Sequence, residues 1–252
     1  MRSALAAFGA AAVLTAAVAG AAVWYAPVAF ERMLHSYLND HPEIVAEALE
    51  RVQQREEAAI GDRKLAMLAS KAQELRYDPR LPVLGNPAGE ITVVEFFDYK
   101  CPFCRQFHPQ LAGFLERNPN VRFVLQDLAI LGPESVLAAR AALAVWEHDR
   151  PHFAKFHDAM MRYPGRFDEN AVLRIAADAG IDKDALMLDM QDPRIDRRLA
   201  EIRALGVTVG ISGTPAFLIG DVMVPGYIDG TQAEQLVLQA REKCTTCGSP
   251  GG

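Results

Sequence analysis

Apolar and polar positions divide the chain into four stretches of different character. Residues 4–30 carry no charge and follow a short positive start at Arg2. A membrane span needs about 20 apolar residues and a signal-peptide core about 7–15, so the run suits either. Ala17, Val18 and Ala19 offer an A-x-A cleavage site, whereas Trp24 and Tyr25 suit a membrane interface. Residues 1–30 are therefore read as a signal peptide or membrane anchor. Both readings put the remaining chain outside the cytoplasm, periplasmic or secreted, or tethered to the inner membrane by residues 4–30.

Residues 30–76 follow a helical pattern. Leu38, Val45, Val52 and Ala59 recur every seven positions, but their companions include His41, Ala48 and Arg55. Asp40 and Glu43 form a capping-box-like start with Pro42 in the first turn, and Gly61 is a candidate break. The stretch 31–77 is read as a helical stalk, either packed on its own domain or joining copies into a homo-oligomer. The Pro- and Gly-rich stretch 78–89 marks a domain boundary.

Beyond it the period changes. Residues 91–97 are an apolar run that suits a strand buried on both faces, interrupted by Glu95. Cys101 opens a helix reaching to about Arg117, and residues 121–128 form the next strand. Residues 134–205 are helical throughout, with breaks near Asp149, Tyr163, Gly180 and Asp192. Two short strands, 216–219 and 222–224, meet at Gly220 and Asp221, and a helix closes the domain over about 231–242. The order predicts an α/β domain over 78–242 with an all-helical insertion at about 134–205. A Gly-rich tail, 243–252, follows.

The net charge is −6, which argues against a nucleic-acid partner. The four cysteines form two CxxC pairs, Cys101/Cys104 and Cys244/Cys247. A zinc site shared between them is disfavoured by their separation and by the tail that carries the second pair, so no metal is expected. The second pair is read as accessory.

Cys101 lies where a strand ends and a helix begins. The unpaired N–H groups of a first helical turn and the helix dipole stabilise a thiolate there, and can bring a cysteine pKa from about 8.5 down to about 3.5–7.5. Lys100 adds positive charge, and Pro102 suits the first turn because its missing N–H would be unpaired anyway. Cys104, three residues on, shares a helix face with Cys101, so the two can close a disulfide. Cys101 is the expected attacker and Cys104 the resolving thiol. Glu95 in its apolar strand would be costly to ionise, and a carboxyl of raised pKa there can take the proton of Cys104. Asp98 is read as solvated or capping. His108 lies one turn beyond Cys104, on the same helix face, and Pro109 would kink the helix. Pro215, which has no N–H to give a ladder, suits the start of the strand that follows Thr214.

Residues 95–104 (EFFDYKCPFC) together with 213–217 (GTPAF) resemble the DsbA-like branch of the thioredoxin superfamily, and the helical block between them matches that branch's insertion. The resemblance covers about residues 80–242. It implies a thioredoxin fold, Cys101 as nucleophile, Cys104 as resolving thiol and Glu95 as buried acid. It also implies that Thr214 and Pro215 form a cis-proline loop that faces the disulfide, pairs with an extended substrate and keeps metal off the thiols. Residues 37–49 (YLNDHPEIVAEAL) resemble the N-terminal region of ScsC-like proteins, which implies a trimer. Strongly oxidising members carry His between the cysteines, where this chain has Phe103. The potential is then expected between about −120 mV for DsbA and about −270 mV for thioredoxin. The expected activity is disulfide formation, reduction or isomerisation in exported cysteine-containing proteins, recharged by a membrane redox partner and needing no cofactor. Copper(I) binding on the same fold, and a structural adaptor with a vestigial CxxC, are the competing readings.

Overall fold

The computed structural model describes residues 30–243. The candidate leader at 1–29, the Ala17–Ala19 cleavage site and the Cys244/Cys247 pair lie outside the described residues. The chain divides into two compact units that meet between Arg63 and Lys64.

In the first unit, residues 30–40 form helix α1 and helix α2 begins at Pro42, its whole span being Pro42–Ser70. The helix runs through Gly61 without a break, because a glycine in an exposed helix costs only about 1 kcal/mol and no neighbour crowds it there. Phe30, Met33, Leu34, Tyr37, Val45 and Val52 are all exposed in this unit. No helix among the described residues is long and apolar enough to cross a membrane.

The second unit is built on a five-stranded sheet of order β1-β3-β2-β4-β5. Its strands are β1 Val83–Gly85, β2 Ile91–Phe97, β3 Val121–Asp127, β4 Ala216–Ile219 and β5 Val222–Pro225. Helix α3 (Pro102–Arg117) joins β2 to its parallel neighbour β3, as a crossover must. Five helices then intervene before β4: α4 Pro133–His148, α5 Arg150–Arg162, α6 Glu169–Ala179, α7 Lys183–Asp189 and α8 Pro193–Thr208. Helix α9 (Gly230–Lys243) ends the described chain. This is the α/β arrangement with an all-helical insertion that the sequence pattern predicts. β1 is an addition, drawn from a Pro- and Gly-rich stretch with little strand character.

The insertion is cut into short helices by local chemistry. Asp168, Asp182 and Asp192 each turn a carboxylate onto free N–H groups at the start of α6, α7 and α8. Gly180, at φ 96°, supplies the left-handed residue that ends α6.

Every residue of β2 is buried, since the sheet is covered on both faces. Val93 and Phe97 pack on one side with Phe107, Phe123, Phe156 and Phe217, whereas Val94 and Phe96 pack on the other with Leu68, Leu75 and Val124. Period-two alternation thus places Glu95 on the face of Val93 and Phe97, which is also the face of both cysteines.

Candidate active site

Cys101 caps the N-terminus of α3 in an extended conformation, with Pro102 in the first turn. Its backbone N–H donates to Asp98 O at 2.9 Å. The thiol donates from Sγ to Thr214 O at 3.1 Å. The Thr214–Pro215 peptide bond is cis. The loop before β4 therefore lies directly against the first cysteine, the juxtaposition expected from residues 213–217.

The two thiols are reduced and unlike each other. The Cys101 thiol is held down to about 5. The Cys104 thiol donating to its sulfur is the largest cause, Thr214 and the backbone N–H groups of Cys104 and Phe103 add to it, and burial opposes them. The Thr214 hydroxyl, buried and otherwise without a partner, is available to donate once the sulfur ionises and its own proton no longer reaches Thr214 O. Cys104 is wholly buried, and burial first, with the Cys101 sulfur and Glu95 after it, pushes its thiol far above the ordinary range. One sulfur is therefore charged at neutral pH and the other protonated.

Glu95 is paired in the ladder with Leu125 on one side and Phe217 on the other. It is 3% exposed, and its Oε1 has no hydrogen-bond partner. Burial raises its pKa to about 8, and the neighbouring Cys101 adds to the effect. Such a carboxyl gains and loses a proton near neutral pH.

Lys100 has a different role from the one expected. Its Nζ lies 3.2 Å from Glu134, which also takes Arg166, so its charge is neutralised on the start of α4 instead of supporting Cys101. Phe103 is 55% exposed beside Cys101 and lies 6.5 Å from the Tyr227 ring. Pro109 is accommodated within α3.

Asp98 is buried, not solvated. Its Oδ1 accepts from the Lys100 N–H, and its Oδ2 accepts from the N–H groups of Ile130 and Leu131, tying the Cys101 turn to the loop after β3. His108 is buried against α5, where its Nε2 meets Asp158 at 2.8 Å. Three further polar residues escape a reading of the sequence. Asp127 ends β3 opposite Phe97, buried with both oxygens unpartnered. Tyr99 and His157 meet at 2.7 Å in the core. Asp127 closes an apolar strand just as Glu95 interrupts one, and that signal was there to be read. His157 shares one helix face with Phe153, Phe156 and Met160; that spacing marks it as core-facing, but nothing in sequence names its partner Tyr99.

Residues 92–237 match the model of the DSBA-like thioredoxin domain, and residues 28–59 match that of the copper resistance protein ScsC N-terminal domain. The chain is 25% identical over 166 residues to disulfide bond formation protein D of Bacillus subtilis, covering 62% of this chain and 75% of that one. A thioredoxin-like oxidoreductase from Silicibacter pomeroyi superposes with a TM-score of 0.65 at 42% identity, over 68% of this chain and 98% of the other. The catalytic domain of Proteus mirabilis ScsC gives 0.65 at 29% identity, over 71% and 99%.

Proposed function

Given that the chain belongs to the DSBA-like thioredoxin-domain family of thiol-disulfide oxidoreductases, we propose that it exchanges disulfides with exported proteins through Cys101 and Cys104. The observation that carries this reading is the asymmetry of the two sulfurs in front of the Thr214–Pro215 loop. A thiolate attacks a substrate disulfide, a mixed disulfide forms, and the buried thiol resolves it. Glu95 takes the proton that Cys104 must lose. Pro215 and Thr214 border the reacting sulfur, where an extended substrate segment would lie. A stabilised thiolate favours the reduced pair, so the disulfide form hands its bond on readily.

The test is direct. With Cys244 and Cys247 replaced by serine, thiolate absorbance of the reduced chain is expected to titrate near the value of about 5 held by Cys101. The same protein should equilibrate with glutathione. A thiol titrating at about 8.5, the unperturbed value, together with no exchange, would remove the reading.

Copper(I) binding is the second reading, favoured by the ScsC match at 28–59 and by the softness of two thiolates. Against it stands the cis Thr214–Pro215 loop, whose Thr214 carbonyl lies 3.1 Å from the Cys101 sulfur. Anaerobic titration separates the two: tight copper(I) uptake lost on Cys101→Ser, in a chain without exchange activity, would select the second.

The first unit supports assembly. Tyr37, Val45, Leu49 and Val52 expose apolar surface along α1 and α2, and burial against copies of the same helices removes it from water. Several CxxC sites on one frame hold a misbridged substrate while different thiols attack it, which favours isomerisation. Light scattering on residues 30–252 is expected to give an oligomer, most simply a trimer, and a form starting at Asp78 a monomer. Two monomers at tens of micromolar would end both the assembly and the isomerase reading.

A further inference from the structure

The reacting sulfur is enclosed by a ring of contacts that ends on two aromatic side chains. Cys101 Sγ meets Thr214 O at 3.1 Å. The next carbonyl, Pro215 O, accepts from the Gly226 N–H at 2.9 Å. Tyr227 follows Gly226, and its ring centroid lies 6.5 Å from that of Phe103, tilted by 45°. Phe103 stands in the first turn of α3, two residues beyond Cys101, which closes the ring.

An exposed phenylalanine alone carries little meaning, because single apolar side chains are common on surfaces. What gives this one weight is how firmly its partner is held. Gln110 Oε1 accepts from the Gly230 N–H at the start of α9, at 2.9 Å. A backbone N–H only donates, so the amide is fixed with Nε2 on the other side. There Nε2 donates to the Tyr227 hydroxyl at 3.0 Å. Gly226, at φ 85°, makes the turn into Tyr227 that a residue with a side chain would resist. Tyr227 is thus pinned to α3, to α9 and to the loop of Pro215, and it packs half-buried on the core. At 6.5 Å the two rings are near the outer limit of an aromatic pair, against 4.9 Å for Phe107 and Phe217 in the core. Phe103 accordingly keeps 55% of its surface open.

Covalent geometry says what comes to lie there. Two residues joined by a disulfide have their Cα atoms about 5.5–6 Å apart, and the substrate's next residue is about 3.8 Å further on. While the mixed disulfide with Cys101 exists, side chains flanking the substrate cysteine come within reach of Phe103 and Tyr227. Phe103, Thr214, Pro215, Gly226 and Tyr227 carry no charge, and Lys100 is taken by Glu134. An aromatic neighbour can bury its face there and tilt against two rings already in place, whereas a small polar neighbour gains nothing.

We propose that Phe103 and Tyr227 read the substrate, favouring segments in which an aromatic side chain stands next to the reacting cysteine, and that Gln110 is the positioning residue that holds Tyr227 for this. The proposal rests on thiol-disulfide exchange as the activity and names the segments that the site takes.

The experiment uses the full chain with the tail cysteines replaced by serine and the Cys101–Cys104 disulfide formed. It is mixed with reduced peptides of one length, each with a single cysteine that has phenylalanine, leucine or serine before or after it. The peptide thiolate bonds to the Cys101 sulfur, the Cys101–Cys104 bond breaks, and its electron pair leaves on Cys104, which takes up the proton that Glu95 holds. Acid quenching and mass analysis give the rate of mixed-disulfide formation. Dividing by each peptide's rate with glutathione disulfide removes differences between the peptide thiols. In at least one of the two orders the phenylalanine peptide is expected to react about tenfold faster than the serine peptide. Phe103→Ser and Tyr227→Ala are expected to bring that ratio close to one, Phe103→Tyr to keep it, and Gln110→Ala to lower it part of the way. Equal rates in both orders, a preference for leucine as large as that for phenylalanine, or a ratio that survives both Phe103→Ser and Tyr227→Ala would overturn the proposal. A parent protein that forms a mixed disulfide with none of the peptides would overturn the exchange reading itself, a result distinct from these.

Discussion

Cys104→Ala is expected to accumulate covalent adducts with exported proteins, and Cys101→Ala to form none. The first substitution leaves the Cys101 sulfur at the start of α3, still held by Thr214 and the backbone N–H groups of the first turn though without the Cys104 thiol that contributes most to its low pKa, and removes the neighbouring thiol that would release what it captures. The second leaves a thiol that is wholly buried and held protonated by burial. At neutral pH the thiolate fraction of an attacking cysteine enters its rate directly. The two variants should therefore differ by several orders of magnitude in adduct formation. Affinity capture under non-reducing conditions, with the tail cysteines replaced, reads the difference. Comparable adducts through Cys104 would reverse the assignment of attacker and resolver.

Much of this site is legible in the chain because its residues break the local pattern. Glu95 is a charge in an apolar run, Cys101 punctuates a strand and a helix, and Pro215 opens a strand it cannot hydrogen-bond within. The aspartates and Gly180 that cut the insertion are legible for the same reason, since caps and left-handed residues are local chemistry. What was not legible depends on partners distant in sequence. Lys100 looks like a neighbour of Cys101 until the loop after β3 brings Glu134 to it. Asp98 reads as solvated or capping; its bond from the Lys100 N–H is the local cap, but its burial follows from Ile130 and Leu131, whose N–H groups it also collects. Tyr99 and His157 are 58 positions apart and acquire meaning only when α5 packs on the sheet. β1 escaped because three residues between prolines and glycines carry no periodicity, and its pairing with β3 is decided by the sheet edge on offer.

Glu95→Gln is the substitution expected to move both rate and stability. The buried carboxyl titrates at about 8 in the folded protein against an ordinary 4.5. Over that window the native chain holds a proton that the unfolded chain has released, so its stability falls as pH rises. At about 1.4 kcal/mol per pH unit, the penalty approaches about 5 kcal/mol above pH 8 as an upper bound. The Cys101 thiolate contributes with the opposite sign. Its depressed pKa gives stability that is present at alkaline pH and lost as pH falls through about 5. Between pH 5 and 8 the two slopes oppose each other in the reduced protein, whereas in the oxidised protein the thiolate is gone and the Glu95 slope stands alone. Glutamine keeps the shape and removes the charge, so the stability difference between Glu95→Gln and the parent should grow steadily from acid pH to pH 8, most cleanly in the oxidised form. Kinetically, the mixed disulfide should still form but close about a hundredfold more slowly, with the pH dependence near 8 abolished. Denaturation at a series of pH values beside quenched-flow trapping measures both. A variant whose stability tracks the parent at every pH would show that Glu95 is ionised and solvated in the folded chain, and would take the proton acceptor away from Cys104.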